Sequence, residues 1–158
     1  MNKFRVRKPA GAGDMNGKPT PQPQLLIVDD SESGRAMICH HLREEQFDYD
    51  VAENGAVAVE KVKDVAFDLV LMDIKMPTMD GYEAIRRIRQ WEQSRGVART
   101  PIIAFTASSF EEDIRLAIES GADLHVAKPV KKEALAAAIL SLLPEGAEQS
   151  EPRKSAAS

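Results

Sequence analysis

Five polar side chains stand at or directly after the ends of short apolar runs: Asp29, Asp30, Asp73, Thr106 and Lys128. Carboxylates that converge on one place repel each other and raise one another's pKa, and a bound cation relieves that repulsion. Oxygen ligands without a neighbouring histidine or cysteine favour Mg²⁺ over Zn²⁺. Because Mg²⁺ commonly shares a phosphate oxygen, the set predicts an Mg²⁺ site that handles a phosphoryl group, contacted by the hydroxyl and the ammonium.

Each of these residues alone also has an ordinary structural interpretation. Asp73, at the end of its apolar run, is a helix cap, a metal ligand or a nucleophile. Asp29 or Asp30 alone could be a helix N-cap, which is the commonest use of such a residue. A single lysine is most often a solvated surface charge, and a single threonine is an ordinary strand end. Neither GxGxxG nor a Walker loop occurs in the chain, so a phosphoryl group would arrive on a donor other than a bound nucleotide.

The segments that must position these groups alternate five times between strand and helix patterns. Continuous apolar runs at 25–28, 69–72 (within the predicted strand 68–72) and 101–105 are typical of strands buried on both faces. The segments 48–52 and 124–126 alternate polar and apolar residues, which is typical of sheet edges. The pattern therefore predicts an α/β, flavodoxin-like (βα)5 fold with a doubly wound, five-stranded parallel sheet in the order 2-1-3-4-5.

This strand order brings the three aspartates to one crevice. In doubly wound sheets, ligands bind at the carboxyl ends of the strands where the winding direction reverses. In the predicted order that point lies between the first strand, which ends before Asp29 and Asp30, and the third strand, which ends before Asp73. The expected ligand crevice and the carboxylates therefore coincide.

Helical periodicity predicts which side chains of the five helices face the core, with Ser31 and Asp80 as caps of the first and third helices. The predicted core-facing residues are Met37, Ile38, His41, Leu42 and Glu45; Gly55, Ala58, Val59 and Val62; Gly81, Ala84, Ile85 and Ile88; Phe110, Ile114, Ala117, Ile118 and Gly121; and Leu135, Ala138, Ile139 and Leu142.

Length and composition predict one folded domain at 24–143 within the 158 residues. A basic lead rich in proline and glycine at 1–23 and a tail at 144–158 are predicted to be disordered. The lead carries five basic and one acidic side chains while the whole chain is at −4, so the domain is acidic and a nucleic-acid partner is not expected. No secretory signal or membrane-spanning run is found, so we expect no membrane partner and a cytoplasmic location. The single cysteine, Cys39, excludes an internal disulfide.

Four segments are together similar to the response-regulator receiver domain of two-component signalling, as found in chemotaxis receivers and in hybrid histidine kinases. They are LLIVDD at 25–30, LVLMDIKMPTMDG at 69–81, TPIIAFTA at 100–107 and GADLHVAKPV at 121–130. The resemblance extends from Leu25 to about Leu142 and thus covers the predicted domain.

The resemblance implies that Asp73 is the phosphoacceptor and that Mg²⁺ is the cofactor. Asp30 and Asp73 would bind Mg²⁺ directly, Asp29 would bind it through a water molecule, and the backbone carbonyl of Lys75 would be a further ligand. The side chain of Lys75 stands at a variable position where it would either contact the phosphoryl group or lie in water.

The resemblance also implies that Thr106 and Lys128 contact the phosphoryl group and that the Lys128–Pro129 peptide bond is cis. His125 occupies a position at which such domains usually carry tyrosine or phenylalanine, the aromatic residue that turns inward on activation. The chain departs from the family's pattern here, so the usual aromatic switch cannot be carried over to it directly.

The function implied is a phosphorylation-dependent switch and not an enzyme, apart from its own phosphorylation and dephosphorylation. A sensor histidine kinase or a histidine-phosphotransfer protein would donate the phosphoryl group to Asp73. The face formed by the fourth helix, fifth strand and fifth helix would then change and bind a downstream protein. Nothing after Leu143 resembles an output domain, which predicts either a stand-alone receiver or a receiver cut from a larger protein; the segment 89–108 favours hybrid sensor kinases.

Two other functions remain as alternatives. One is an interaction module that uses the same fold without phosphorylation. The other is a phosphatase of the haloacid-dehalogenase type with an aspartate nucleophile, which would carry a second aspartate where Lys75 stands.

Overall fold

The computed structural model describes residues 22–45, 47–107 and 110–143, in which five strands and five helices alternate. The strands are β1 (Gln24–Val28), β2 (Asp48–Ala52), β3 (Leu69–Asp73), β4 (Ile102–Thr106) and β5 (Leu124–Ala127). The helices are α1 (Glu32–His41), α2 (Gly55–Asp64), α3 (Gly81–Arg95), α4 (Glu111–Ser120) and α5 (Lys132–Leu142). The predicted lead at 1–23, apart from residues 22 and 23, and the predicted tail at 144–158 lie outside the described residues.

The five strands form one parallel sheet in the order β2-β1-β3-β4-β5, which confirms the predicted fold class. Every residue of β3 and β4 is buried, as is all of β1 except its first residue, whereas β2 and β5 are partly exposed at the two edges. Continuous apolar strands therefore lie inside the sheet and alternating strands lie outside it, because only an inner strand has both faces covered.

Alternate residues of the inner strands build two separate cores, one on each face of the sheet. One core packs β-strand residues such as Val70 and Met72 against α2 and α3, together with Ala117 of α4. The other packs residues such as Leu69 and Leu71 against α1 and α5. Fully burying a large aliphatic side chain contributes roughly 1.5–3 kcal/mol, so these two layers supply most of the driving force for folding.

The predicted core-facing residues of α2 and α3 are confirmed, because all eight of them are buried. The predictions for Met37, Phe110 and Ile118 were wrong, because these side chains are 38%, 75% and 48% exposed. Phe110 precedes the first turn of α4, so the helical period does not apply to it. Helix α4 packs on α3 and on the edge strand β5, which cover only a narrow stripe of it.

Helices α1, α2 and α3 each follow an N-cap residue whose side chain accepts a hydrogen bond from a backbone N–H of the first turn. Ser31 accepts from the Gly34 N–H at 3.1 Å, and Asp80 accepts from the Glu83 N–H at 2.9 Å, which confirms the two predicted caps. Asn54 likewise caps α2. None of the described helices is long and apolar enough to cross a membrane.

A buried ion-pair network fixes the amino ends of β4 and β5. The Arg89 guanidinium donates to Glu92 Oε1 at 2.7 Å and to Asp123 Oδ2 at 2.9 Å. It also donates to the backbone carbonyls of Thr100 at 2.7 Å and Gly121 at 3.0 Å. Glu92 is 4% exposed, and its second oxygen accepts the Thr100 N–H at 2.6 Å. One side chain therefore ties α3 to the segments that lead into both strands.

Replacing Arg89 by methionine should lower the free energy of unfolding by about 3–5 kcal/mol, because it leaves the buried Glu92 carboxylate without its cation. Guanidinium chloride unfolding at neutral pH measures the change. The matched control is Arg115→Met, since Arg115 pairs with Glu112 and Glu119 on the exposed surface of α4 and should contribute only about 0–1 kcal/mol. Equal effects of the two substitutions would contradict the importance of the buried network.

Candidate functional site

The carboxylates of Asp29, Asp30 and Asp73 meet at the carboxyl ends of β1 and β3. Because Val28 pairs with Met72 in the parallel register, the next residues, Asp29 and Asp73, lie side by side at this end of the sheet. One oxygen of each carboxylate lies within 4.8 Å of the other two, and they form the only cluster of three or more potential metal ligands among the described residues. Asp29 and Asp73 are 2% and 5% exposed, whereas Asp30 is exposed to solvent.

Helix α1 and strand β2 hold Asp29 in place. Its Oδ1 accepts the backbone N–H of Ser31 at 2.8 Å, and its own N–H donates to the Ala52 carbonyl at 3.1 Å. The Arg35 guanidinium donates to the Asp29 carbonyl at 2.7 Å. Sequence reasoning missed the role of Arg35, because a bond from a helix side chain back to a strand-end carbonyl leaves no periodic signal.

Lys128 is the cation of this cluster. Its ammonium lies 3.0 Å from Asp73 Oδ1 and 3.5 Å from Asp29 Oδ2. Its backbone N–H donates to the carbonyl of Thr106 at 2.8 Å, and its peptide bond to Pro129 is cis, as predicted. Burial opposes the charged form of Lys128, but the carboxylates of Asp73 and Asp29 outweigh burial and raise the pKa of the ammonium.

The Asp73 carboxyl lies in an environment that disfavours its ionised form. Burial is the main reason that the pKa of Asp73 is raised, and the neighbouring charges of Asp29 and Asp30 raise it further, against the opposing effect of Lys128. One ammonium does not balance three carboxylates, so the cluster needs further positive charge. Hard oxygen donors with no histidine or cysteine among them fit Mg²⁺.

Thr106 and Lys75 border the same cleft beside this cluster. Thr106 is the last residue of β4 and is buried, while the Lys75 side chain is exposed in the loop that follows β3. The cleft has a volume of about 470 Å³ and is lined by Ile74, Lys75, Met76, Pro77, Asp80, Tyr82, Thr106 and Asp113. Thr106 therefore lies at the same carboxyl-end rim of the sheet as the carboxylates, and Lys75 follows Asp73 by two residues, but none of the three aspartates lines this cleft. The Lys75 carbonyl as a metal ligand stays a prediction.

The loop between β3 and α3 contains a tight turn at Thr78. The Met79 N–H donates to the Pro77 carbonyl at 2.8 Å, and the φ angle of Thr78 is +70°. The left-handed region disfavours β-branched residues because Cβ approaches the following carbonyl oxygen. The loop then returns to the strand end, where the Gly81 N–H donates to the Ile74 carbonyl at 2.8 Å.

His125 lies on β5 opposite Ala104, on the sheet face that also carries Thr106. Its Nε2 is buried without a hydrogen-bond partner in the part of the chain that the structure describes. Burial lowers the pKa of His125. The structure thus places an imidazole at the position singled out in the sequence, and its role in switching stays a prediction.

Replacing Thr78 by glycine should raise the free energy of unfolding by up to about 1 kcal/mol, because relief of the left-handed strain exceeds the entropy that glycine adds to the unfolded chain. Urea unfolding measures the gain. Gly96 offers the inverse control, since its φ is +62° and no atom lies within 4 Å of where a Cβ would stand. Gly96→Ala should lower the free energy of unfolding by about 1 kcal/mol for backbone reasons alone. A destabilised Thr78→Gly would contradict this view of the turn.

Asp73→Asn should stabilise the metal-free protein at pH 7. The raised pKa means that the folded state binds this proton more tightly than the unfolded chain. Ionisation of Asp73 therefore destabilises the fold as the pH rises from about 4, the ordinary aspartate pKa, through the raised pKa. The advantage of the variant should shrink as the pH falls toward 4, which thermal unfolding in EDTA across this range measures. A variant less stable than the wild type at pH 7 would mean that the Lys128 ion pair outweighs burial.

A sequence model of the response regulator receiver domain matches residues 25–140. The sensor protein GacS of Pseudomonas syringae pv. syringae is 37% identical to this chain over 118 residues. The match covers 75% of this chain but only 13% of GacS, so the chain spans a small part of this relative.

The solved structures similar to this chain include two receiver-domain structures from signalling proteins. One is in the co-crystal structure of the Saccharomyces cerevisiae histidine phosphotransfer protein Ypd1 with the receiver domain of the response regulator Ssk1. It has a TM-score of 0.74 and 33% identity, covering 79% of this chain and 91% of the other. The other is the receiver domain of sensor histidine kinase PA1611 of Pseudomonas aeruginosa PAO1, solved with magnesium in its active-site cleft. It has a TM-score of 0.70 and 30% identity, covering 77% and 98% of the two chains.

Proposed function

This chain belongs to the response regulator receiver domain family of two-component signalling, as its four motif segments predicted, and from that premise we propose that Asp73 accepts a phosphoryl group. The observation that carries the proposal is the position of the Asp73 carboxylate, which is buried, 3.0 Å from an ammonium and beside two further carboxylates. Receiver domains are signalling modules, so the proposed consequence of phosphorylation is a change in the surface that the protein presents to its partners.

Mg²⁺ is the proposed cofactor, held by Asp30 and Asp73 directly, by Asp29 through water and by the Lys75 backbone carbonyl. The clustered oxygen donors support this assignment, as does the magnesium in the cleft of the PA1611 receiver domain. When bound, Mg²⁺ supplies positive charge that neutralises the oxygens of the phosphoryl group.

For this phosphoryl transfer the protein needs only to position the reacting groups and to neutralise their negative charge. An ionised Asp73 oxygen attacks phosphorus directly and needs no general base. The new O–P bond forms as the P–N bond of the phosphohistidine donor breaks, and the imidazole nitrogen keeps the electron pair. The Lys128 ammonium, which now contacts Asp73, would form an ion pair with one phosphoryl oxygen instead, while the Thr106 hydroxyl would donate a hydrogen bond to another.

Phosphorylation would change the face formed by α4, β5 and α5. Thr106 pairs with Ala127 of β5. A movement of the Thr106 side chain toward Asp73 would therefore also shift its contacts with this edge strand. Helix α4 exposes Leu116 and Ile118 on this side, with Phe110 just before its first turn. A downstream protein that binds these apolar side chains would distinguish the two states by its differential affinity.

The proposed donor is a sensor histidine kinase or a histidine-phosphotransfer protein that docks beside α1 and the acidic rim. The relation to GacS and the Ypd1–Ssk1 complex support these two donor classes. A cytoplasmic location belongs to the same proposal, because the phosphoryl group of such donors originates from ATP.

Incubation with phosphoramidate and Mg²⁺ should add one phosphoryl group per chain, detected by intact-mass spectrometry and removed by hydroxylamine, which cleaves acyl phosphates. Asp73→Asn should abolish the adduct because it removes the nucleophile. Asp68→Asn is the matched control, since Asp68 precedes the other end of the same strand and is exposed, so its label should equal that of the wild type. A label that persists in Asp73→Asn would overturn the assignment.

The same preparation separates the alternatives. Absence of labelling, together with NMR shifts near Asp73 that Mg²⁺ and beryllofluoride leave unchanged, would favour a phosphorylation-independent interaction module. Steady multiple-turnover hydrolysis of small phosphate esters would favour the phosphatase.

A further inference from the structure

Helix α1 approaches the Asp29 carboxylate at a residue without a side chain. A Cβ built on Gly34 would lie 2.3 Å from Asp29 Oδ2, 2.8 Å from its Cγ and 3.0 Å from its Oδ1. These separations are far shorter than the 3.5–4.0 Å of favourable non-bonded contact between carbon atoms. Any other residue at this position would therefore require the carboxylate or the helix to move.

The Asp29 carboxylate has little freedom to give way. It is 2% exposed, and its Oδ1 accepts the Ser31 N–H at 2.8 Å. Oδ2, the atom that a Cβ would strike first, is also the atom 3.5 Å from the Lys128 ammonium. Arg35 fixes the Asp29 backbone through its carbonyl at 2.7 Å. Displacing the carboxylate would therefore disturb its contacts with both Ser31 and Lys128.

Intrinsic preference does not account for a glycine here. Gly34 lies in the first turn of α1, and glycine is the poorest helix former after proline. Its N–H donates to Ser31 Oγ at 3.1 Å, a bond that any residue except proline can make. What glycine alone provides here is the absence of a Cβ, which leaves room for the Asp29 carboxylate.

We propose that Gly34 is a positioning residue for Asp29: its bare Cα allows α1 to hold that carboxylate at the distance from Lys128 and Asp73 that the acidic site uses. The inference rests on the proposed function only in its metal-binding consequence. The steric coupling between Gly34 and Asp29 exists in the metal-free protein and is tested there separately.

The first measurement is thermal unfolding in EDTA of Gly34→Ala, in the wild-type and in the Asp29→Ala backgrounds. Ala36→Gly provides the matched control, because Ala36 is exposed on the same helix and reports the glycine–alanine preference without a contact to Asp29. We expect Gly34→Ala to lower the Tm or leave it unchanged in the wild type. In the Asp29→Ala background it should raise the Tm by about as much as Ala36→Gly lowers it. An equal rise in both backgrounds overturns the proposal.

The second measurement is the Mg²⁺ dissociation constant, followed by NMR titration with MgCl₂. Gly34→Ala should raise it at least about fivefold, with Ala36→Gly within twofold of the wild type. An unchanged constant for Gly34→Ala, beside a wild type that binds Mg²⁺, overturns the positioning role alone. A wild type that does not bind Mg²⁺ overturns the proposed metal site, while the unfolding experiment still decides the steric coupling.

Discussion

Repulsion among like charges at one end of the sheet is the constraint on which the rest of this structure depends. Asp29, Asp30 and Asp73 bring carboxylate oxygens within 4.8 Å of one another, against one ammonium from Lys128. At an effective dielectric constant of about 20, two such charges repel by roughly 3–4 kcal/mol, and solvent screens the pairs that include the exposed Asp30 more strongly. The electrostatic interactions within the cluster therefore oppose folding, and the burial of the two apolar cores must supply the free energy that brings the carboxylates together. This explains why the strands that carry the aspartates are inner strands, buried on both faces.

The two ends of the sheet are built in opposite ways. At the amino ends of β4 and β5, Arg89 pairs with the carboxylates of Glu92 and Asp123, and Arg99 also pairs with Asp123, so two cations compensate two carboxylates. At the carboxyl ends, Asp73 is buried with too little positive charge, and Thr78 adopts a strained turn. Local strain and uncompensated charge therefore lie at the end of the sheet that carries the proposed site, whereas the ion pairs lie at the opposite end.

Much of this arrangement was predictable because it depends on the hydrophobic pattern of single segments. The contrast between continuous and alternating strands predicted the strand order, and that order predicted which aspartates meet. Pairings between distant polar residues were not predictable in this way. Asp50, for example, is buried in the edge strand β2 beside Lys61, at 3.1 Å, although an alternating edge strand favours an exposed aspartate. Periodicity also predicted too wide a buried stripe on α4, because it reports which residues are apolar and not how broadly a neighbouring element covers them.

The charge imbalance also suggests how phosphorylation of Asp73, if it occurs as proposed, would alter the surface at the edge of the sheet. A ligand shifts a two-state equilibrium only by the difference between its affinities for the two states. In this chain the Lys128 ammonium is shared between Asp73 and Asp29, so a phosphoryl group on Asp73 would compete for a cation that the resting state already uses. Moving that cation would disturb the end of β5, because Lys128 directly follows β5 and its backbone N–H donates to the Thr106 carbonyl of β4. A site with additional cations could bind the phosphoryl group without losing any contact of the resting state. Phosphorylation would then be only weakly coupled to the contacts at the edge of the sheet. Under the proposed function, the sharing of one ammonium between Asp73 and Asp29 would couple phosphorylation of Asp73 to the position of β5.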